Sequence, residues 1–429
     1  MPTGALPSLQ EPPETEQPPH GLLRLLINRN FALLATGQAI SNIGDFVYST
    51  TVLIWVFALT HSAAAVSGVL IAQYTPIFLL GPVAGVFVDR WNRRQTMVVS
   101  DLIRTAIALF PLLIPDMLRL PAIYTSVFLL SAFSRFFMPA RAGVLQVIVP
   151  AQQQPQAASI SQATFALSFV IGPALAAPLY FVVGPFIALI INAVSFGISA
   201  LSLAFIRASK EALHPHAFVH AEQAAGGIRA VMGELIGGYR FIARTRVLLM
   251  VTFLALIAML GAGALNALEI IFVRYNLHVD ASFYGVMVAT GGLGTLLGAI
   301  GAGLIAKRVA PRHMLSGAVF LLGVGIVIYS FQTVFLIAVI INFIIAIPQG
   351  GIDVGFGPLL INSTPQTMVG RVQSGIETSM YGMSLISIGL AGYLGQFIPV
   401  SIIFAVGGAL LALSGLFGWF AIPEAAKEM

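Results

Sequence analysis

The sequence predicts an all-α integral membrane protein of twelve transmembrane helices in two six-helix halves, and three observations carry that prediction. Hydrophobic residues make up 58% of the 429 residues and charged residues 9%, whereas a water-soluble domain carries about 25% charged residues. The 21 Lys and Arg and the 16 Asp and Glu cannot coat a water-facing surface, so lipid is the main solvent. Apolar runs of about 20 residues recur along the chain, the length a helix needs to cross about 30 Å of hydrocarbon. One long polar stretch, 207–246, divides these runs six and six.

Each element follows from local composition. Residues 1–27 are expected to form a disordered cytoplasmic tail, because Pro2, Pro7, Pro12, Pro13, Pro18 and Pro19 alternate with Glu11, Glu14 and Glu16 and bury nothing. The tail has no basic start followed by an apolar stretch, so it does not read as a signal peptide. The N-terminal half, 28–206, has expected spans at 31–57, 63–88, 96–114, 121–138, 159–181 and 184–205. The connector, 207–246, repeats Ile228, Val231, Met232, Leu235, Ile236, Tyr239 and Ile242 at helical spacing beside Arg229, Arg240, Arg244 and Arg246. It is either a helix lying on the membrane surface or one packed on the inner end of the bundle. The C-terminal half, 247–423, has expected spans at 247–272, 283–305, 314–330, 334–360, 375–397 and 400–420, and 424–429 form a short tail. Pro348, Gly350 and Gly351 interrupt the tenth span and predict a kink or an unwound turn, tolerated where neighbouring helices satisfy the freed backbone. Gly294 and Gly298 in the eighth span mark a dimer face or, better, close packing inside the bundle.

Sidedness follows from Lys and Arg. Of the 21 basic residues, Arg119 and Arg274 alone fall opposite the N-terminus, and Arg104 and Arg135 lie within spans. The rest share the N-terminal side, which predicts a multi-pass protein of the cytoplasmic (inner) membrane with both termini in the cytoplasm. The net charge of +5 then belongs to loops beside anionic lipid, not to a nucleic-acid site.

Several chemistries are excluded. There is no Cys, so disulfides, thiol catalysis and Cys-based metal sites are absent. Lys210, Lys307 and Lys427 are the only lysines and none follows a Gly, so there is no phosphate-cradling Gly-Lys-Ser/Thr loop. Neither a His-Glu-x-x-His helix nor a Gly-x-Ser-x-Gly turn occurs. His214, His216 and His220 cluster in the connector and read as a solvated loop. No enzyme activity, cofactor or metal is expected.

The loop after the second span reads Gly85-Val86-Phe87-Val88-Asp89-Arg90-Trp91-Asn92-Arg93-Arg94. Gly85 permits close helix approach. Asp89 can accept from the start of the next helix or pair with an Arg, and Asn92 suits a left-handed turn. One constant shift lays Gly85 on Gly303, Arg90 on Arg308, Arg94 on Arg312 and Met97 on Leu315, an internal repeat of the kind secondary transporters share.

This stretch closely resembles the signature loop of the major facilitator superfamily, with Asn92 in place of the usual Gly. Stretches 28–31, 42–45, 100–104, 135–141 and 369–372 look like the branch containing macrolide-efflux and enterobactin-exporter proteins. In the fifth span, Gly172 and Pro173 resemble the Gly-Pro motif of antiporter members, although Ser and Ala replace three of its glycines; tight packing with a Pro kink explains much of the same pattern.

The resemblance implies export of a small amphipathic molecule such as a drug or macrolide, driven by the proton gradient through alternating access. A native metabolite such as a siderophore, or a lipid, is the alternative cargo, and a transport-inactive sensor or scaffold is the alternative class. The expected partners are the bilayer and a small-molecule substrate, with no nucleic acid and a monomeric state.

The resemblance also implies that spans one, four, seven and ten line a central cavity. They carry Asp45, Arg135, Glu269 with nearby Asn266, and Asp353. An ionisable group at mid-membrane costs about 2.5–3.5 kcal/mol on insertion scales, so each needs a reason. Asp45 is the leading candidate for a proton-binding carboxylate, unless Ser41, Asn42 or a neighbouring helix merely satisfies it. Glu269 reads as an interfacial carboxylate, a second proton site or a handle for a cation. Asp353 either lines the cavity or caps the broken tenth span. Asp101 and Arg104 lie three apart on one helix face. With Asp89, Arg90, Arg93, Arg94, Gly85 and Arg371 they are expected to build a cytoplasmic gate.

Overall fold

A computed structural model describes residues 27–88, 90–208 and 227–423, and the regular elements among them are helical. The first half comprises α1 (Arg29–Thr60), α2 (Ala63–Val88), α3 (Arg93–Leu109), α4 (Arg119–Ile148), α5 (Gln154–Val183) and α6 (Pro185–Ala204). The connector contributes α7 (Gly227–Arg244). The second half comprises α8 (Arg246–Tyr275), α9 (Tyr284–Ile305), α10 (Pro311–Ser330), α11 (Phe335–Asn362), α12 (Val369–Leu394) and α13 (Val400–Ala421).

Among the described residues, eleven helices are long and apolar enough to cross a membrane. The helix that falls short is α12, whose first turns carry Arg371, Gln373, Ser374 and Glu377. Such a helix is tolerated in a bilayer where its polar face meets protein or a water-filled cavity. With α12 the architecture is twelve helices in two six-helix halves, α1–α6 and α8–α13.

Local chemistry sets the helix ends. The Asn28 side chain accepts from the Phe31 amide at 2.8 Å and so caps α1. It also donates to the Ile148 carbonyl at 2.6 Å, tying the start of α1 to the end of α4. At its other end α1 stops on His61, which adopts a left-handed φ of 49°. Gly184 (φ +80°) makes the sharp corner between α5 and α6, a backbone region where a side chain is strained.

Three local expectations are corrected. Asn92 is not in a left-handed turn: at φ −67° it is the cap of α3 and accepts from the Gln95 amide at 3.0 Å. The role expected of Asp89 falls on a residue outside those described. The tenth span is unbroken, because α11 runs through Pro348 and Pro358 without a gap. Gly350 and Gly351 serve packing instead. A Cβ on Gly350 would collide with the Ala299 amide of α9, and one on Gly351 would press on Ala318 of α10. Helices α4 and α5 also extend beyond their expected limits at the basic end, since a helix needs no lipid to continue its backbone hydrogen bonds.

Packing distinguishes the two ends of the bundle. One large apolar core joins both halves, and it includes Val52–Phe57 of α1, Ile270–Val273 of α8 and Tyr284 of α9 at the end away from the basic loops. Phe57 meets Tyr275 edge-on there, with ring centroids 6.1 Å apart. At the basic end the core splits in two. Phe31, Leu34, Met97, Phe137 and Val144 belong to the first half, and Ile242, Leu248, Leu360, Val372 and Ile376 to the second. Consistent with a cleft between them, the first half of α5 (154–168) buries just Ala157 and Ser168.

The connector helix α7 uses one face. Ile242 is buried in the second-half cluster, and Gly238 sits so close to the Arg371 carbonyl of α12 that a Cβ would clash. Met232 and Ile236 on its other side stay exposed. It is therefore packed on the inner end of the bundle while keeping an apolar strip outside.

Candidate functional site

The site begins with a glycine. Gly44 lies where α1 crosses α6, and a Cβ there would overlap the Ser195 hydroxyl. This close approach brings the next residue, Asp45, against α3 and α6. Its Oδ2 accepts from Arg104 Nη2 at 3.0 Å, while Arg104 Nη1 donates to Asp101 Oδ1 at 2.9 Å. One guanidinium thus forks between two carboxylates, a geometry that suits Arg and that the single point charge of Lys does not reproduce. The Arg104 guanidinium lies 3.9 Å from the Phe196 ring centroid and 5.4 Å from that of Phe137. Asp101 is fully buried and Arg104 side-chain exposure is 6%, but the Asp45 side chain is 40% exposed. With all three ionised the triad carries one net negative charge at mid-membrane, and one proton cancels it.

This arrangement corrects the expected division of labour. Asp101 and Arg104 do not join Arg371. They belong with Asp45. Arg371 instead donates to Glu234 of α7 at 3.3 Å. The other loop residues act inside the first half: Arg94 donates to the Ile206 carbonyl at 2.8 Å, and the Arg93 side chain covers Gly143 of α4. Arg90 is exposed beside Trp91 in a groove lined also by Phe133 and Phe136. Gly85 faces open space, as does its repeat mate Gly303, so neither mediates a close helix approach in this conformation. His214, His216 and His220 lie outside the described residues.

The remaining candidates are spread over both halves. Glu269 of α8 is partly buried within electrostatic reach of Tyr284 and Tyr329, and among the described residues it has no hydrogen bond or ion pair. Asp353 of α11 is exposed and caps nothing, since α11 is continuous. Arg135 of α4 donates to Ser134 at 3.3 Å and leaves its buried Nε unpartnered. Gly172 is closed against Phe46 of α1, and the Pro173 carbonyl meets Gly285 of α9, so this pair forms a contact between α5 and both halves.

Asn266 lines a cavity of about 470 Å³ with Tyr74, Gln349, Glu377, Tyr381 and Ser384. Sequence reasoning passed over Glu377 and both tyrosines. The available signal was the rule applied to the other four helices: Glu377 is an acidic residue inside an expected span.

The chain matches the family described as transmembrane secretion effector over residues 23–427. It belongs to this family of major facilitator transporters. Among curated relatives, the uncharacterized MFS-type transporter YfiS of Bacillus subtilis (strain 168) is 27% identical over 397 residues, 89% of this chain and 91% of that protein. The multidrug efflux pump Tap of Mycolicibacterium fortuitum is 24% identical, with coverage of 78% and 82%. Macrolide efflux protein A of Streptococcus pyogenes is 28% identical over a shorter segment, 42% of this chain and 45% of that protein. In fold, the transporter superposes on a peptide transporter crystallised with alafosfalin at a TM-score of 0.73, covering 94% and 95% of the two chains at 12% identity. The transporter is thus a multi-pass membrane protein that moves a small molecule, and it is not an enzyme.

Proposed function

We propose that the transporter is a proton-coupled exporter of small amphipathic compounds, seated in the cytoplasmic membrane with both termini in the cytoplasm and working as a monomer. The observation that carries this reading is the triad Asp45–Arg104–Asp101, a net negative charge whose Asp45 side chain is 40% exposed. A proton on Asp45 neutralises the triad and leaves Arg104 paired with Asp101 alone. A cationic or polar cargo in the cleft between the halves feels the negative triad in one state and a neutral one in the other. Mutual exclusion of proton and cargo is the thermodynamic content of antiport. The cleft opens at the basic end, which the bias of Lys and Arg assigns to the cytoplasm. Alternating access is then a rocking of the halves about the core that joins them at the far end. The efflux names of two relatives support the direction.

Everted vesicles with an acidified lumen test this. Adding macrolides, cationic dyes or siderophores releases protons from vesicles bearing the wild type and not from those bearing Asp45→Asn. Release triggered by siderophores alone would assign a native metabolite as cargo. Undiminished release in Asp45→Asn would remove Asp45 from the mechanism.

A further inference from the structure

A groove of about 650 Å³ lies where α3 and α4 meet the loop after α2. Its polar end holds Arg90, Asn92 and Gln95, and its apolar end Val99, Ile103, Phe133 and Phe136. Asn92 and Ile103 stand eleven positions apart, roughly 16 Å along a helix that rises 1.5 Å per residue. That is about half of the 30 Å of hydrocarbon, the depth of one leaflet. At about 100° per residue, Gln95, Val99 and Ile103 share one face of α3, while Asp101 and Arg104 fall on the opposite one. The groove is therefore separate from the triad and turned away from it. Helix α3 packs on α4 and α6 of its own half. Val99 on the groove face is 52% exposed, an apolar surface that the bilayer covers.

The gradient along the groove matches a molecule with a charged head and a hydrocarbon tail. Phe87, Trp91 and Phe136 cluster at the polar end with centroids 6.0 to 6.3 Å apart, and an exposed Trp marks the level where hydrocarbon gives way to headgroups. The loop 89–94 carries three arginines against one aspartate. Among the described residues, Arg90 is the charged member of the lining. Helix α3 starts beside it, and its positive dipole end adds attraction for an anion. Deeper in, the Thr96 hydroxyl donates to the Asn92 carbonyl at 2.9 Å and needs no further partner. Val99, Ile103 and Phe133 then offer an acyl chain an apolar wall. A peptide laid along the same wall would carry unsatisfied backbone groups into hydrocarbon.

We propose that this groove is a binding site for an anionic phospholipid of the leaflet at the basic end. The headgroup phosphate lies beside Arg90, and one acyl chain follows Val99 and Ile103 between α3 and α4. The lipid is a resident partner and not the cargo. Because the described walls belong to the first half alone, the site persists while the halves rock against one another.

Quenching of tryptophan fluorescence tests it, because Trp91 is one of three Trp in the chain and lines the groove. In the full-length Trp55→Phe/Trp419→Phe protein Trp91 is the reporter. The protein is reconstituted in phosphatidylcholine bilayers containing either brominated phosphatidylglycerol or brominated phosphatidylcholine at equal mole fraction. The phosphatidylglycerol occupies the site about fivefold more strongly, the factor expected of one arginine beside an anionic headgroup. Arg90→Gln on that background brings the two lipids to within about twofold of each other, and Arg90→Lys keeps the preference. Trp419 is 44% exposed near the end of α13 and serves as the control in Trp55→Phe/Trp91→Phe, where the two lipids quench to within about twofold. Equal quenching by the two lipids at Trp91 would overturn the proposal, as would an undiminished preference in Arg90→Gln. The same preference at Trp419 would also overturn it, since the effect would then be one of surface charge and not of this groove. The readout needs neither cargo nor proton gradient, so its failure is distinct from a failure of the antiport reading.

Discussion

Removing Arg104 exposes the energetics of the triad. In Arg104→Met the side chain keeps an unbranched apolar stem, but the guanidinium over the Phe196 ring is gone and both carboxylates lose their counter-charge. Asp101 has zero exposure and cannot turn to water, so it bears the full cost of an unpaired buried ion. Breaking such a pair costs about 3–5 kcal/mol. Asp45, 40% exposed, is screened by solvent and contributes little. The expected loss is therefore about 3–5 kcal/mol, nearly all of it from Asp101. Unfolding in mixed micelles titrated with denaturing detergent measures it. The double variant Arg104→Met/Asp101→Asn removes the stranded charge and recovers most of the loss, whereas Arg104→Met/Asp45→Asn recovers little. Partners that share one donor must couple in this way. Equal recovery by the two double variants, or a loss below about 1 kcal/mol in the single variant, would refute the burial argument.

Further outcomes follow from the packing. A Cβ on Gly395 would stand 3.4 Å from that of Ala63, close to the usual disulfide separation. The chain has no Cys of its own. Ala63→Cys/Gly395→Cys therefore oxidises to a cross-link between the halves and stops transport until reduced; turnover persisting with the link complete would contradict alternating access. Gly44→Val drives α1 away from α6 and costs about 1–3 kcal/mol in the same unfolding assay. Because it also displaces Asp45, proton release falls further than stability does. Gly238→Val pushes α7 off α12, which protease cleavage within the connector registers as faster cutting. Arg371→Ala, which removes an exposed pair with Glu234, changes stability by less than about 1 kcal/mol and leaves that cleavage rate nearly unchanged.

Span number, the two halves and the charge bias were legible from the residues in order, because lipid imposes a one-dimensional rule. Each crossing must be apolar over a set length and must satisfy its own backbone, whatever its neighbours do. The same rule explains the limits of the reading. Hydropathy measures the part of a helix that lipid covers, so the basic-end extensions of α4 and α5 escaped it. Pro348, Gly350 and Gly351 signalled a break in α11, yet the helix stays whole, since those small residues are occupied in meeting α9 and α10.

Pairing is a property of helix rotation and approach, and these exist only in three dimensions. Asp101 and Arg104 were visible as neighbours on α3. That the guanidinium also reaches Asp45, 59 residues earlier in the chain, depends on the crossing of α1 and α6 at Gly44. Glu377 likewise shares a cavity with Tyr74 only because the fold sets α2 beside α12. Composition determined that this chain lives in a membrane, and the order of its apolar runs determined how often it crosses. The tertiary packing decided which of its few buried charges compensate one another and which are left partly exposed, because at mid-membrane a charge is stabilised by what folding brings within about 4 Å of it.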